Sequence, residues 1–225
     1  MIQHRTVTAL LALAGLMLTA CSAGPAGRPA ADREAVRDRL ASADGAPYSA
    51  ALRAVTRSGS QRLQLTVGRI NLNAPLTGRT TDRTQQYTED VVITERTVYR
   101  RAVGAHGAWQ EFPASTAKGG LPVDRLPQYV RLMLDHSTSI RQGSEAVRVS
   151  ARLTPREIAS VDEIAGRNLG PAGAIDADAW IDGQGRVVRV RQIIHVESGS
   201  GSDIHATVTL TDFGKPVPVR PPVTR

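Results

Sequence analysis

The last third of the chain alternates apolar and polar residues one by one. Ile175, Ala177, Ala179 and Ile181 interleave with Asp176, Asp178, Trp180 and Asp182. After the turn Asp182-Gly183-Gln184-Gly185, Val188, Val190, Ile194 and Val196 alternate with Arg189, Arg191 and His195. Beyond a Gly/Ser loop at 198–202, Ile204, Ala206, Val208 and Leu210 alternate with His205, Thr207, Thr209 and Thr211. Successive side chains of a strand point to opposite faces, so three antiparallel strands are predicted, each with one apolar and one polar face.

Elsewhere the period changes. Within 121–136, Leu126, Tyr129, Val130, Met133 and Leu134 recur at the spacing of one helix face. Thr154-Pro155-Arg156-Glu157 combines an N-cap, a first-turn proline and a capping-box glutamate, which predicts a helix running to Gly170-Pro171. Residues 32–43 read as a helix carrying Val36 and Leu40, and Tyr48–Arg57 as a second, with Ala51, Leu52 and Val55 on one side. Leu63, Leu65 and Val67 alternate as in a strand, and Ile70 and Leu72 continue with the opposite parity, for which a bulge at Gly68 is the expected cause. A polar loop or hairpin is expected over 73–84, strands over 86–94, 97–103 and 108–112, and a hairpin over 138–153 turning near Gly143. The tail 216–225 is proline-rich and expected to be extended. Together these elements predict an α+β chain: a single antiparallel sheet with one wet face and helices on the other.

The N-terminus differs from all of this. Arg5 precedes an apolar run from Val7 to Leu18, which ends in Leu18-Thr19-Ala20-Cys21. The run has the length of an export signal and is too short to span a bilayer. A small residue before the chain's only cysteine is a lipobox, where the signal is cut and the cysteine acylated. The expected organisation is a lipoprotein signal peptide at 1–20, a lipid-anchored flexible tether at 21–32 and a single domain at 33–225, held at the extracytoplasmic face of the cell membrane. An uncleaved anchor is the alternative. Each buried methylene of an acyl chain contributes about 0.8 kcal/mol, and two chains hold where one does not.

With Cys21 acylated no thiol remains for a disulfide, a nucleophile or a metal site. The net charge is +7, nearly all of it from arginine, since Lys118 and Lys215 are the only lysines. That usage fits a GC-rich genome such as an actinobacterium's. A basic surface outside the cytoplasm points to anionic lipid or wall polymer, or only to a soluble surface. Aromatic content of 4% gives no stacking platform for nucleic acid. There is no G-x-S-x-G, H-E-x-x-H, C-x-x-C or phosphate loop, so no enzyme is expected, and no cofactor. His195 and His205 fall on polar strand faces and are expected to meet solvent. Asp176, Asp178 and Asp182 are expected to face Arg189 and Arg191 across the hairpin.

Several phrases carry a family likeness: Thr97-Val98-Tyr99-Arg100-Arg101 with Trp109 and Phe112-Pro113; Ala179-Trp180-Ile181-Asp182-Gly183 with Gly185-Arg186-Val187-Val188-Arg189-Val190; and Asp212-Phe213-Gly214-Lys215-Pro216-Val217 with Pro221-Pro222. Over 48–222 the chain resembles actinobacterial lipoproteins of the LppX/LprA/LprF/LprG group and, more distantly, LolA and LolB. The resemblance implies a strongly curved sheet, a half-open β-barrel with helices on its concave face, holding an acylated molecule between sheet and helices. It transfers one residue, Cys21.

Whether the apolar faces fill a core or line a cavity is open in the residues alone. If a cavity exists, alternation nominates Leu63, Leu65, Val67, Val130, Met133, Leu134, Ala179, Ile181, Val190, Ile194, Val208 and Leu210 as its lining. The expected partners are then a lipid or acylated molecule and the membrane, through Cys21. The alternative is a closed-core adaptor for a membrane or secreted protein of the envelope.

Overall fold

The computed structural model describes residues 28–73, 75–104, 107–114, 123–169, 172–196 and 202–223. The signal and residues 21–27 of the expected tether, with Cys21, lie outside them, as do His106 and Gly170-Pro171, whereas residues 28–32 of that tether open the first helix.

Eleven strands form one antiparallel sheet in the order β6-β5-β4-β3-β2-β1-β11-β10-β9-β8-β7. The strands are β1 (Tyr48–Ser58), β2 (Gln61–Leu72), β3 (Thr77–Thr84), β4 (Thr88–Ile93), β5 (Thr97–Ala102), β6 (Gln110–Pro113), β7 (Ser137–Gln142), β8 (Ala146–Leu153), β9 (Ala172–Asp182), β10 (Val187–Val196) and β11 (Ile204–Gly214). Two meanders, β1–β6 and β7–β11, are joined where β1 pairs with β11. The edges β6 and β7 do not meet, so the barrel is open. Helix α1 (Arg28–Ala43) buries Val36 and Leu40, and α2 (Leu126–Asp135) follows a 3-10 turn at Val123–Arg125. The expected capping box forms: Thr154 accepts from Glu157 N, and Glu157 accepts from Thr154 N, opening α3 (Pro155–Val161). Asp162 then N-caps α4 (Glu163–Asn168), so the predicted single helix is two short ones.

Three expectations are corrected. Residues 48–58 are a strand, not a helix. Ala50, Leu52 and Ala54 point inward in turn while β2 and β11 pair on either side, and this pairing overrides the helix preference of alanine. Residues 77–84 are one continuous strand, not the polar loop or hairpin expected over 73–84. The strand has no large apolar residue to announce it, yet it pairs fully with β2 and β4. Gly68 is not a bulge: it pairs in register with Leu52 and Thr80, and the shift lies at Thr56/Arg57. A Cβ at Gly68 would sit 2.1 Å from the Arg79 carbonyl oxygen, so glycine there permits a tight approach of β3. The parity change is nonetheless real. Leu65 and Val67 lie beside Val55 and Arg53 on the outer face, whereas Ile70 and Leu72 lie on the inner one.

Candidate functional site

Helices cover the inner face unevenly. α2 lies on β8 with α1 and α3 beside it, and α3 reaches β9. Leu126, Tyr129, Val130, Met133 and Leu134 are all buried there, against Val147, Val149, Ile175, Ala179 and Ile181. Burial pushes the Tyr129 phenol well above its ordinary pKa. Over β8 and β9 the inner face is therefore packed.

The N-terminal half is not. Between β1–β5 and the 3-10 turn lies a cavity of about 370 Å³, within the range of small-ligand sites. The strand registers set a gradient of polarity along it. One row is apolar, with Ile70, Ile93 and Val98. The next mixes Leu52, Thr80, Val91 and Arg100. The last carries Ala54, Thr66 and Asp82, with Gln64 beyond. One Asp82 carboxylate oxygen is buried without a hydrogen-bond partner. Such an atom costs about 1–3 kcal/mol or more when left unpaired. A carboxylate only accepts, so what would relieve it is a hydroxyl, amide or ammonium donor.

Arg125 and Asp162 form part of the roof. Arg125 Nη1 donates to Val161 O at 2.8 Å and lies 3.6 Å from Asp162 Oδ2. Asp162 Oδ1 accepts from Ala165 N at 3.0 Å. The roof is thus tied to α3 and α4. A second cavity of about 420 Å³, bordered by Tyr48, Leu72, Leu126 and Leu210, shares Leu76, Val123 and Asp124 with the first. Those three side chains are common walls of the two spaces.

The apolar positions nominated from alternation are dispersed, and none of them lines the first cavity. Val130, Met133, Leu134, Ala179 and Ile181 are in the packed core. Val190 and Val208 border a space of only about 70 Å³, Leu210 borders the second cavity, and Ile194 is half-buried at the edge of the core. Leu63, Leu65 and Val67 belong to the outer face, opposite Gln64 and Thr66. The cavity-lining residues were hard to find because many are polar or lie on strands without regular apolar alternation. A Thr-rich strand in the middle of a sheet was the available signal.

The outer polar face is organised by charge. Asp178 accepts from Arg148 Nη2 (2.8 Å), Arg191 Nη2 (2.6 Å) and Ser150 Oγ (2.7 Å). Burial alone would raise its carboxyl, but these donors prevail and hold it below the ordinary carboxylate range. Trp180 lies between Arg148 and Arg189, whose guanidinium carbons are 5.4 and 5.1 Å from its ring. Arg189 therefore stacks on Trp180, while Asp182 pairs with Arg186 instead. His195 is half-exposed but bound at both nitrogens: Nε2 is 2.9 Å from Asp176 and Nδ1 3.0 Å from Asp203. Asp176 first, then Asp203, raise its pKa above the ordinary imidazole value. No group of three or more potential metal ligands converges among the described residues.

No protein-family model matches the chain, and no curated protein does. Among solved structures it is similar to LprF from Mycobacterium bovis, with a TM-score of 0.57 and 14% identity, over 86% of this chain and 97% of that one. The chain has an LprF-type fold. Weaker likenesses are to a LolA superfamily protein from Nitrosomonas europaea (TM-score 0.34, 9% identity, 81% of this chain and 94% of that one) and to a putative outer membrane lipoprotein-sorting protein domain from Vibrio parahaemolyticus (0.33, 8%, 82% and 92%). The LprF-type fold agrees with the unpaired edges β6 and β7 and with helices on the inner face. No helix among the described residues is long and apolar enough to cross a membrane.

Proposed function

We propose that this chain is an envelope lipoprotein, anchored through Cys21, that holds or transfers a lipid or acylated molecule in the cavity over β1–β5. The supporting observation is the contrast between the two halves of one sheet. The C-terminal half is packed under α2 and keeps a space of only about 70 Å³ beside Val190 and Val208, whereas the N-terminal half keeps one of about 370 Å³ with an apolar side and a buried, unpaired Asp82 oxygen. Hydrocarbon fits the row of Ile70, Ile93 and Val98, where each buried methylene contributes about 0.8 kcal/mol. A polar group carrying a donor fits the row of Thr66 and Asp82. Binding and release require no bond chemistry, so the reading is not enzymatic.

The test is uptake of a fluorescent acyl ligand by the full chain and by Val91→Trp, which places an indole in the cavity. Uptake falls at least tenfold if the cavity is the site. Equal uptake by a variant with parental circular dichroism would remove the cavity from the account. The closed-core adaptor would then lead.

A further inference from the structure

The outer face of β1–β3 carries a cluster of exposed arginines without ion-pair partners among the described residues, whereas in the C-terminal half only the separated Arg141 and Arg189, the latter stacked on Trp180, lack one. In the C-terminal half, Arg148 and Arg191 are matched by Asp178, and Arg152 by Asp176. In the N-terminal half, Arg53, Arg57, Arg62 and Arg83 are all exposed, and none has an ion-pair partner among the described residues. The nearest aspartate in the same row, Asp90, is already paired with Arg101.

The registers cluster these four. Arg57 lies directly opposite Arg62, Arg83 opposite Leu65, and Arg53 opposite Val67. Like charges directly opposed across two strands are destabilising. An anion between Arg57 and Arg62 reverses that cost, because each guanidinium offers a paired donor fork that matches a phosphate. Apolar surface lies among the charges. Leu63, at the register shift, is 36% exposed, and Val67 is half-buried. Cations surrounding a small protruding apolar patch match an anionic bilayer surface, where phosphates meet arginine and Leu63 enters the headgroup layer.

We propose that the outer face of β1–β3 is a docking surface for an anionic phospholipid membrane, separate from the cavity. This proposal stands independently of the cavity reading. The full chain carrying Cys21→Ser, which removes any acylation, is floated with vesicles of phosphatidylcholine alone or with a third phosphatidylglycerol. Binding to neutral vesicles measures what the apolar N-terminal run contributes by itself. Added binding to anionic vesicles is expected, weakened by salt. Each arginine near an anionic surface is worth about fivefold, so Arg57→Gln with Arg62→Gln weakens the added binding about 25-fold. The control pair Arg156→Gln with Arg167→Gln, of equal charge on α3 and α4, leaves it nearly unchanged. Equal binding to both vesicle types, or equal loss in both double variants, would overturn the proposal. So would binding to soluble inositol hexakisphosphate as tight as to vesicles, since the occupant would then not be a membrane.

Discussion

A larger side chain has opposite effects in the two halves of this barrel. Ala54 is nearly fully buried on β1 and lines the cavity beside Leu52 and Thr66. Ala54→Leu adds three carbons to a space that can take them. At about 0.8 kcal/mol per buried carbon the gain is ~2.4 kcal/mol, and side-chain ordering removes about 0.5–1 kcal/mol of it. The lipid-free protein is therefore stabilised by about 1.5–2 kcal/mol, which raises Tm by about 3–8 °C for a domain of this size. Ligand uptake falls, because the leucine occupies space the ligand needs. Ala179 is the matched control. It is fully buried in register between Val149 and Val190, under helices. Ala179→Leu overpacks that core and costs about 1–3 kcal/mol. The assay is urea denaturation of delipidated protein together with acyl-ligand titration. If Ala54→Leu destabilises the protein as Ala179→Leu does and leaves uptake intact, the space beside Ala54 is not a cavity in solution.

Other consequences concern the outer face. Asp178→Ala leaves Arg148 and Arg191 without their shared carboxylate and costs about 2–3 kcal/mol, moderated because both arginines can reach water; a chemical melt showing less than ~0.5 kcal/mol would contradict the assignment. His195 has a raised folded pKa, so its contribution is fully present below the ordinary imidazole value of ~6.5 and fades as pH rises through the folded value. Thermal melts across pH 5–9 should show that decline in the parent and lack it in His195→Gln. Asn71 accepts from Val217 N at 2.9 Å and donates to Val217 O at 2.8 Å, clamping the C-terminal tail to β2. Asn71→Ala should speed hydrogen exchange of the Val217 amide about tenfold, and unchanged exchange would mean that the clamp does not hold the tail.

The C-terminal meander was readable because its strands are half-buried against α2. Ile175, Ala177, Ala179 and Ile181 alternate because their face meets packed side chains, and the 126–134 stripe is helical for the same reason. The N-terminal meander was harder for the reason that makes it functional. β3 faces the cavity with Thr80 and Asp82, so no apolar period marks it. β1 carries Ala50, Ala51 and Ala54, whose local preference is helical until β2 and β11 pair with it. The parity change in β2 was visible, but its cause was not. Leu63, Leu65 and Val67 are apolar on the outer face, where alternation alone assigns them to the interior. The Asp178 cluster was half legible: Arg191 lies across the β9–β10 hairpin as expected, whereas Arg148 comes from β8, a pairing only the sheet order supplies.

The central claim is that the N-terminal half of the barrel holds an acylated molecule. Native mass spectrometry of the protein purified from a related host, with solvent extraction of a parallel sample, tests it most directly. The account predicts an added mass in the lipid range that disappears on denaturation, reappears in the extract and is diminished in Val91→Trp. A bare protein mass that takes up no added lipid would contradict it and leave the barrel as a closed scaffold for a protein partner.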